Sequence, residues 1–377
     1  MRSPARHGVA SPGWAARLAV AVMAMVTTGI VAAAGYVNYP AVAPDRAVQL
    51  PADHGSHPDF RTEWWYVTGW LETADGEPLG FQVTFFRTRP DLPAGNSSAF
   101  APHQLIVAHA ALSDQRLGRL RHDQRIARAS HRLAGAASDD TDVWLGRWRL
   151  LREGERYVTR VDGAGFAFDL TLERTQPPMV NGHGGYSQKG PLAASASYYY
   201  SVPQLRVSGT VARDGLPTAV RGQAWLDHEW STAILDATAG GWDWVGINLD
   251  DGGALMAFRM RDRAGRKLWA AGTLRRPGRA DAVFGPDEVD FTPGRRWRSP
   301  ATGIEYPVSF RLRTGEETFG IEPLMDDQES DSRLTTGAVY WEGAVRALRG
   351  GRPAGLGYLE LTGYGTPLRL PGDAGTR

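Results

Sequence analysis

The densest run of residues able to move protons is Trp225-Leu226-Asp227-His228-Glu229-Trp230. On an extended strand successive side chains point to opposite faces, so Asp227 and Glu229 share one face while His228 and Trp230 share the other. Paired carboxyls can give and take a proton, and an imidazole titrates near neutrality. Asp-x-Glu spacing also suits a hard cation, yet one such pair lacks the further oxygen ligands that a metal site needs. The structural alternative is a satisfied polar plug at a domain junction. A few residues on, Trp242-Asp243-Trp244 sets two indoles on one face and a carboxylate on the other. Upstream, Glu63-Trp64-Trp65-Tyr66 places a carboxylate beside three consecutive aromatics. A buried Glu63 is either kept protonated, as general acids are, or held in a salt bridge to Arg61 or Arg87.

Together these groups offer ring faces to stabilise a cation, an acid to donate a proton and a histidine to deliver water, which suffices to add water across an alkene. The candidate acid/base set is Asp227, His228 and Glu229, with Asp243 and Glu63 as secondary candidates. The candidate ligand-binding aromatics are Trp64, Trp65, Tyr66, Trp230, Trp242 and Trp244. His54, His57, His103 and His109 lack the paired spacing of a zinc site, so no metal is expected, and no cofactor either. Neither a Gly-x-Ser-x-Gly elbow nor a phosphate loop occurs, which disfavours serine hydrolysis and nucleotide chemistry.

The elements that must position these residues are strands. Across 377 residues, Gly 45, Trp 13 and Tyr 12 point to many tight turns between strands carrying large aromatics. Trp65–Leu71 and Gly80–Arg87 flank the turn Ala74-Asp75-Gly76-Glu77, and Trp244–Leu249 and Ala254–Met260 flank Asp250-Asp251-Gly252-Gly253. The second hairpin copies the first, WYVTGWL against WVGINL and FQVTFFR against LMAFRMR. Gly209-Thr210-Val211 followed by Trp225-Leu226-Asp227 parallels Gly343-Ala344-Val345 followed by Tyr358-Leu359-Glu360. Matches in the same order imply an internal duplication whose first copy is longer, the extra chain falling between His122 and Gln188. Each copy has the size of a closed antiparallel barrel of roughly eight strands. A pair of sandwiches with filled cores fits the periodicity equally. The boundary is placed between Trp230 and Gly241, giving a first domain over 57–232 and a second over 233–370.

Lys+Arg 42 against Asp+Glu 41 leaves a formal net charge of +1, so nothing steers the chain to nucleic acid. Cys 0 removes disulfides, thiol catalysis and thiolate metal sites together. Arg2, Arg6 and Arg17 precede the uncharged run Leu18–Ala34, which ends in Ala32-Ala33-Ala34. Residues 1–34 therefore read as a secretion signal cleaved before Gly35, or as an uncleaved anchor, the run lying at the short end of the roughly 17–25 residues that span a bilayer. Either way the body is expected in the periplasm or outside the cell, with 35–56 as a linker.

His57-Pro58-Asp59-Phe60-Arg61-Thr62-Glu63-Trp64-Trp65-Tyr66, Ala224–Trp230, Gly241–Asp250, Tyr340-Trp341-Glu342-Gly343 and Gly357–Tyr364 give the chain a specific resemblance to the AttH-type and hydroxyneurosporene-synthase-like proteins. The resemblance implies an all-β fold of two tandem lipocalin-like antiparallel barrels. Its carotenoid hydratase branch adds water to an isolated double bond, using an Asp as acid with nearby His, Trp and Tyr and no cofactor. His228 and Trp230 look like the His-x-Trp of that branch, whereas its Tyr-x-Asp is replaced by Phe258-Arg259-Met260. Two functions are expected from this. One is binding or carriage of an apolar ligand, lipid or isoprenoid, in an aromatic-lined cavity near the domain junction, with an envelope exporter permease as a further partner. The other is a cofactor-independent hydratase or hydrolase using the Asp227, His228 and Glu229 cluster.

Overall fold

The computed structural model describes residues 38–92, 98 and 101–367; the expected secretion signal or anchor over 1–34 lies outside them. Among the described residues every regular element but one is a strand. The exception is the 3-10 turn Ala52–His54, and no helix among the described residues is long and apolar enough to cross a membrane. The first sheet contains β1 (Thr62–Thr73), β2 (Pro78–Thr88), β3 (Leu105–Asp114), β4 (Arg119–Arg128), β5 (Ala134–Ala136), β6 (Asp142–Leu145), β7 (Trp148–Glu153), β8 (Arg156–Gly163), β9 (Phe166–Glu173), β10 (Met179–Val180), β11 (Tyr186–Gln188), β12 (Ala196–Arg213) and β13 (Leu216–Ala233). The second contains β14 (Ala239–Leu249), β15 (Ala254–Asp262), β16 (Lys267–Arg275), β17 (Ala282–Phe284), β18 (Val289–Pro293), β21 (Phe310–Thr314), β22 (Glu317–Pro323), β23 (Glu329–Ser332), β24 (Ala338–Arg349) and β25 (Arg352–Leu361), with β19 (Arg296–Arg298) and β20 (Glu305–Pro307) as a separate ribbon.

The strand orders are β4-β3-β2-β1-β13-β12-β9-β8-β7-β6-β5 and β17-β16-β15-β14-β25-β24-β22-β21-β18. In each, a run of hairpins meets the last strand of its own sheet through its first strand, so the duplication read in the sequence is a duplication of topology. Each sheet curls until its ends nearly meet. Arg125 on β4 donates to the Asp162 carbonyl on β8 and lies 4.3 Å over the Trp148 ring on β7. In the second sheet Arg259 on β15 donates 2.8 Å to the Phe291 carbonyl on β18.

Register refines the repeat. Tyr66 stands opposite Asp227, and Trp244 stands opposite Glu360. The counterpart of Trp244 is therefore Tyr66, one residue from the Trp65 that the aligned motifs suggested. Asp227 and Glu360 do correspond, as do Trp225 and Tyr358. Gly209 and Gly343 do not: Gly209 pairs with Val220, far along the ladder from Asp227, whereas Gly343 pairs with Leu359, next to Glu360. The cause is the long hairpin of β12 and β13, 18 residues in each strand, against 12 and 10 in β24 and β25.

Both sheet interiors are filled. Trp65, Trp148, Tyr157, Leu226 and Trp230 belong to the first core, and Val245, Ile247, Trp341, Leu359 and Leu361 to the second. A third apolar cluster lies between the sheets, made by Tyr66, Trp70, Tyr199, Trp225, Trp244, Met256, Phe258 and Tyr358. Polar bonds cross the same contact: Trp70 Nε1 donates to the Gly357 carbonyl at 2.9 Å, Ser113 Oγ to Gln328 Oε1 at 2.6 Å, and Asn248 Nδ2 to the Ala224 carbonyl at 3.0 Å. Residues 38–56, expected to be a linker, are laid against the first sheet. Tyr39 donates to the Arg89 carbonyl, the Ala43 amide to Tyr198 Oη, and the Val48 amide to the Gly184 carbonyl.

Candidate functional site

Alternation along β13 turns Asp227 and Glu229 outward, towards the second sheet, and His228 and Trp230 into the first core. The same rule on β1 turns Trp64 and Tyr66 outward and Glu63 and Trp65 inward, and on β14 it turns Trp242 and Trp244 towards the first sheet and Asp243 away. The outward residues meet in a cavity of about 90 Å³ lined by Trp64, Tyr66, Phe86, Lys189, Asp227, Glu229, Trp242, Trp244, Phe258, Met260, Tyr340 and Glu360. One water needs roughly 10–15 Å³ on this measure, so the space admits a slim apolar group together with water.

Asp227 is 3% exposed. Its Oδ1 accepts from Ser201 Oγ and Trp225 Nε1, both at 2.6 Å, and its Oδ2 accepts from the Tyr199 hydroxyl at 2.7 Å. Tyr199 Oη in turn accepts from Trp244 Nε1 at 3.0 Å, which ties the acid to the wall of the second sheet. Burial pushes the Asp227 carboxyl up to about 7, outweighing the three donors, and the charge of Glu229 acts in the same direction. Glu229 accepts from Ser197 and pairs with Lys189 at 2.8 Å. Lys189 and Lys267 are the only lysines in the sequence. The Lys189 ammonium is buried, 4.6 Å from the Tyr199 ring centre and 4.2 Å from that of Phe258.

On the opposite wall Glu360 Oε2 accepts from Trp242 Nε1 at 3.0 Å. Burial pushes Glu360 up to about 7, against the pull of that indole and with the charges of Asp227 and Glu229 adding to the push. Its register partner Glu342 is raised well above the ordinary range by burial and by the charge of Glu360. The cavity thus holds carboxyls able to carry a proton at neutral pH inside an aromatic wall.

The inward residues form two other clusters. Glu63 is fully buried, with His228 Nε2 at 2.9 Å and His57 Nδ1 at 2.7 Å from Oε1 and Arg87 Nε at 2.8 Å from Oε2. Burial alone would raise Glu63, but the two imidazoles and the guanidinium outweigh it and hold the carboxyl well below its usual range. Of the two salt-bridge partners expected for Glu63, Arg87 is the one found, and a carboxylate so held is no general acid. His228 has Tyr200 Oη at 3.0 Å from Nδ1, and burial lowers its pKa. His57 lies 3.7 Å from Trp230, stacked. His57, Glu63 and His228 present ligand atoms within 4.8 Å of one another, a set that sequence spacing could not reveal because the histidines come from distant segments. Both rings already sit at hydrogen-bond distance on one oxygen, and Arg87 would repel a cation there, so the geometry is that of a hydrogen-bonded ion cluster. Asp243 is likewise spent, accepting from Arg259 Nε at 2.9 Å, Arg261 Nε at 3.1 Å and the Tyr364 hydroxyl at 2.9 Å.

Of the residues singled out in the sequence, the cavity collects Asp227, Glu229, Trp64, Tyr66, Trp242 and Trp244. It excludes His228, Glu63, Asp243, Trp65 and Trp230, because each of these sits one position out of phase on its strand. Sequence reasoning missed Lys189, Tyr199, Glu342 and Glu360. The repeat match between Asp227 and Glu360 carried a signal for the last.

The family model described as AttH-like matches residues 41–364. A crystal structure assigned to AttH from Nitrosomonas europaea is 53% identical, covering 86% of this chain and 99% of that chain with a TM-score of 0.81. Kievitone hydratase from Nectria haematococca, 15% identical, covers 87% of this chain and 96% of its own with a TM-score of 0.66. CghA with Sch210972, 12% identical, covers 86% and 96% with a TM-score of 0.50. The last two show a shared fold. Among curated proteins, none matches.

Proposed function

Because the chain belongs to the AttH-like family, with a fold shared by a hydratase, we propose that it is a cofactor-independent hydratase acting on the double bond of an apolar molecule in the cavity between its two sheets. The observation that carries this reading is Asp227: a buried carboxyl that keeps its proton to about pH 7, facing an aromatic wall. A protonated acid beside an alkene can form a C–H bond, and the faces of Trp64, Trp242 and Trp244 stabilise the resulting cation. Apolar walls select a hydrocarbon or isoprenoid segment and keep bulk water out. Carriage of an apolar ligand accounts for the aromatic wall but gives no use to buried acids whose burial costs stability. His228 takes no part, since it faces the first core.

The test is incubation of the purified protein with a panel of acyclic isoprenoid and aryl-substituted alkenes in ¹⁸O-labelled water. Labelled alcohol is expected from the wild type, with turnover about 10²–10⁴-fold lower in Asp227→Asn. Binding of these molecules without label incorporation rejects the enzyme in favour of a carrier.

A further inference from the structure

Asp227 and Glu360 hold equivalent positions in the two sheets. Asp227 stands between Tyr66 on β1 and Ser201 on β12; Glu360 stands between Trp244 on β14 and Glu342 on β24. The outer faces of these strands are turned towards each other, so the two carboxyls reach one cavity from opposite walls. Where Ser201 donates a hydrogen bond to Asp227, the second sheet places a second carboxyl, Glu342, beside Glu360. A further group points to a polar ligand atom. Tyr66 lines the same cavity, is 6% exposed, and its hydroxyl has no hydrogen-bond partner. A buried hydroxyl left unpaired is costly, a cost removed when water or an alcohol oxygen binds there.

We propose that Glu360, backed by Glu342, is a second catalytic residue of this cavity, acting on water while Asp227 acts on carbon. The proposal rests on the hydratase reading above. Asp227 gives its proton to one alkene carbon, and the π pair becomes the new C–H bond. A lone pair of water forms the C–O bond at the other carbon, and one proton of that water passes to the Glu360 carboxylate. Alkene and water become alcohol, and the proton returns from Glu360 to Asp227 through water in the cavity both line. The buried Glu342 and the half-buried Glu360 stand in register, and two carboxyls so placed cannot both ionise cheaply. Glu342 therefore keeps its proton while Glu360 exchanges one. The other titratable groups facing Glu360 are Asp227 and Glu229, whose charges raise it, and Tyr66 and Tyr340, which burial keeps neutral. Lys189 is paired with Glu229.

The experiment has two arms, both on the full chain. Carboxyl ¹³C NMR of glutamate-labelled protein is expected to show one glutamate titrating near neutrality. Glu360→Gln removes that transition and lets Glu342 titrate at lower pH than in the wild type. If every glutamate titrates close to the ordinary value of about 4.3, the proposal is overturned. In the kinetic arm, on an alkene that the wild type hydrates, Glu360→Gln lowers kcat by about 10²-fold or more. KM stays within a few-fold, and the acidic limb of the kcat pH profile disappears. Full kcat in Glu360→Gln beside an inactive Asp227→Asn overturns the role of Glu360 and leaves the hydratase reading intact. A wild type that hydrates nothing removes that reading and the base role together, while the NMR arm still decides whether the carboxyl pair shares a proton.

Discussion

Asp227→Asn should make the protein more stable in alkali and slightly less stable in acid. In the unfolded chain Asp227 titrates at its ordinary 3.8, whereas in the folded protein burial moves it to about 7. Between those values the native state holds a proton that the unfolded chain has released, so stability falls as pH rises and the loss is complete once pH passes the folded value. Each pKa unit is worth about 1.4 kcal/mol, so the gap costs the wild type about 4 kcal/mol at pH 8 relative to pH 4. Asparagine keeps the shape and the Oδ1 contacts with Ser201 and Trp225 but turns an amide nitrogen towards the Tyr199 hydroxyl, which loses its acceptor at a cost of roughly 1 kcal/mol. The variant is therefore about 1 kcal/mol less stable near pH 4 and about 3 kcal/mol more stable at pH 8. Urea unfolding of both proteins, followed by tryptophan fluorescence at several pH values, measures the difference directly. A stability difference that stays flat across this range refutes the claim that burial controls Asp227, and with it the basis for calling it an acid.

Arg87→Met strips Glu63 of its guanidinium in the first core and should cost about 3–5 kcal/mol, part of which Glu63→Gln in the same chain restores; a loss below about 1 kcal/mol by urea unfolding contradicts the assignment of Arg87 as the partner. At the contact between the sheets, a Cβ on Gly80 would lie 2.6 Å from Ala344 Cβ. Gly80→Ala should destabilise by about 1–3 kcal/mol and Ala344→Gly should rescue part of the loss, the contact with Ser113 Cβ at 3.0 Å remaining; additive effects of the two changes would mean that these faces do not touch.

Alternation along a strand is a property of the backbone, so the separation of Asp227 and Glu229 from His228, and of Trp242 and Trp244 from Asp243, could be read directly from the order of residues. The hairpins, the duplication and the all-β class followed from turn residues and repeated aromatic starts for the same local reason. What local order could not decide was which face of each strand borders open space. Large aromatics occur on both faces: Trp65 and Trp230 fill the first core, while Trp64 and Trp244 line a cavity, and nothing in residue type distinguishes them. The choice was made when two curled sheets packed outer face to outer face, bringing Asp227 and Glu360 to one cavity, whereas Lys189 reached Glu229 within the first sheet, through the pairing of β11 and β13 with β12. Glu63 went the other way because His57, Arg87 and His228, remote in sequence, converge on it only after β1, β2 and β13 have paired. A carboxyl's role follows from its burial and its partners, and both are set by contacts between segments far apart in the chain.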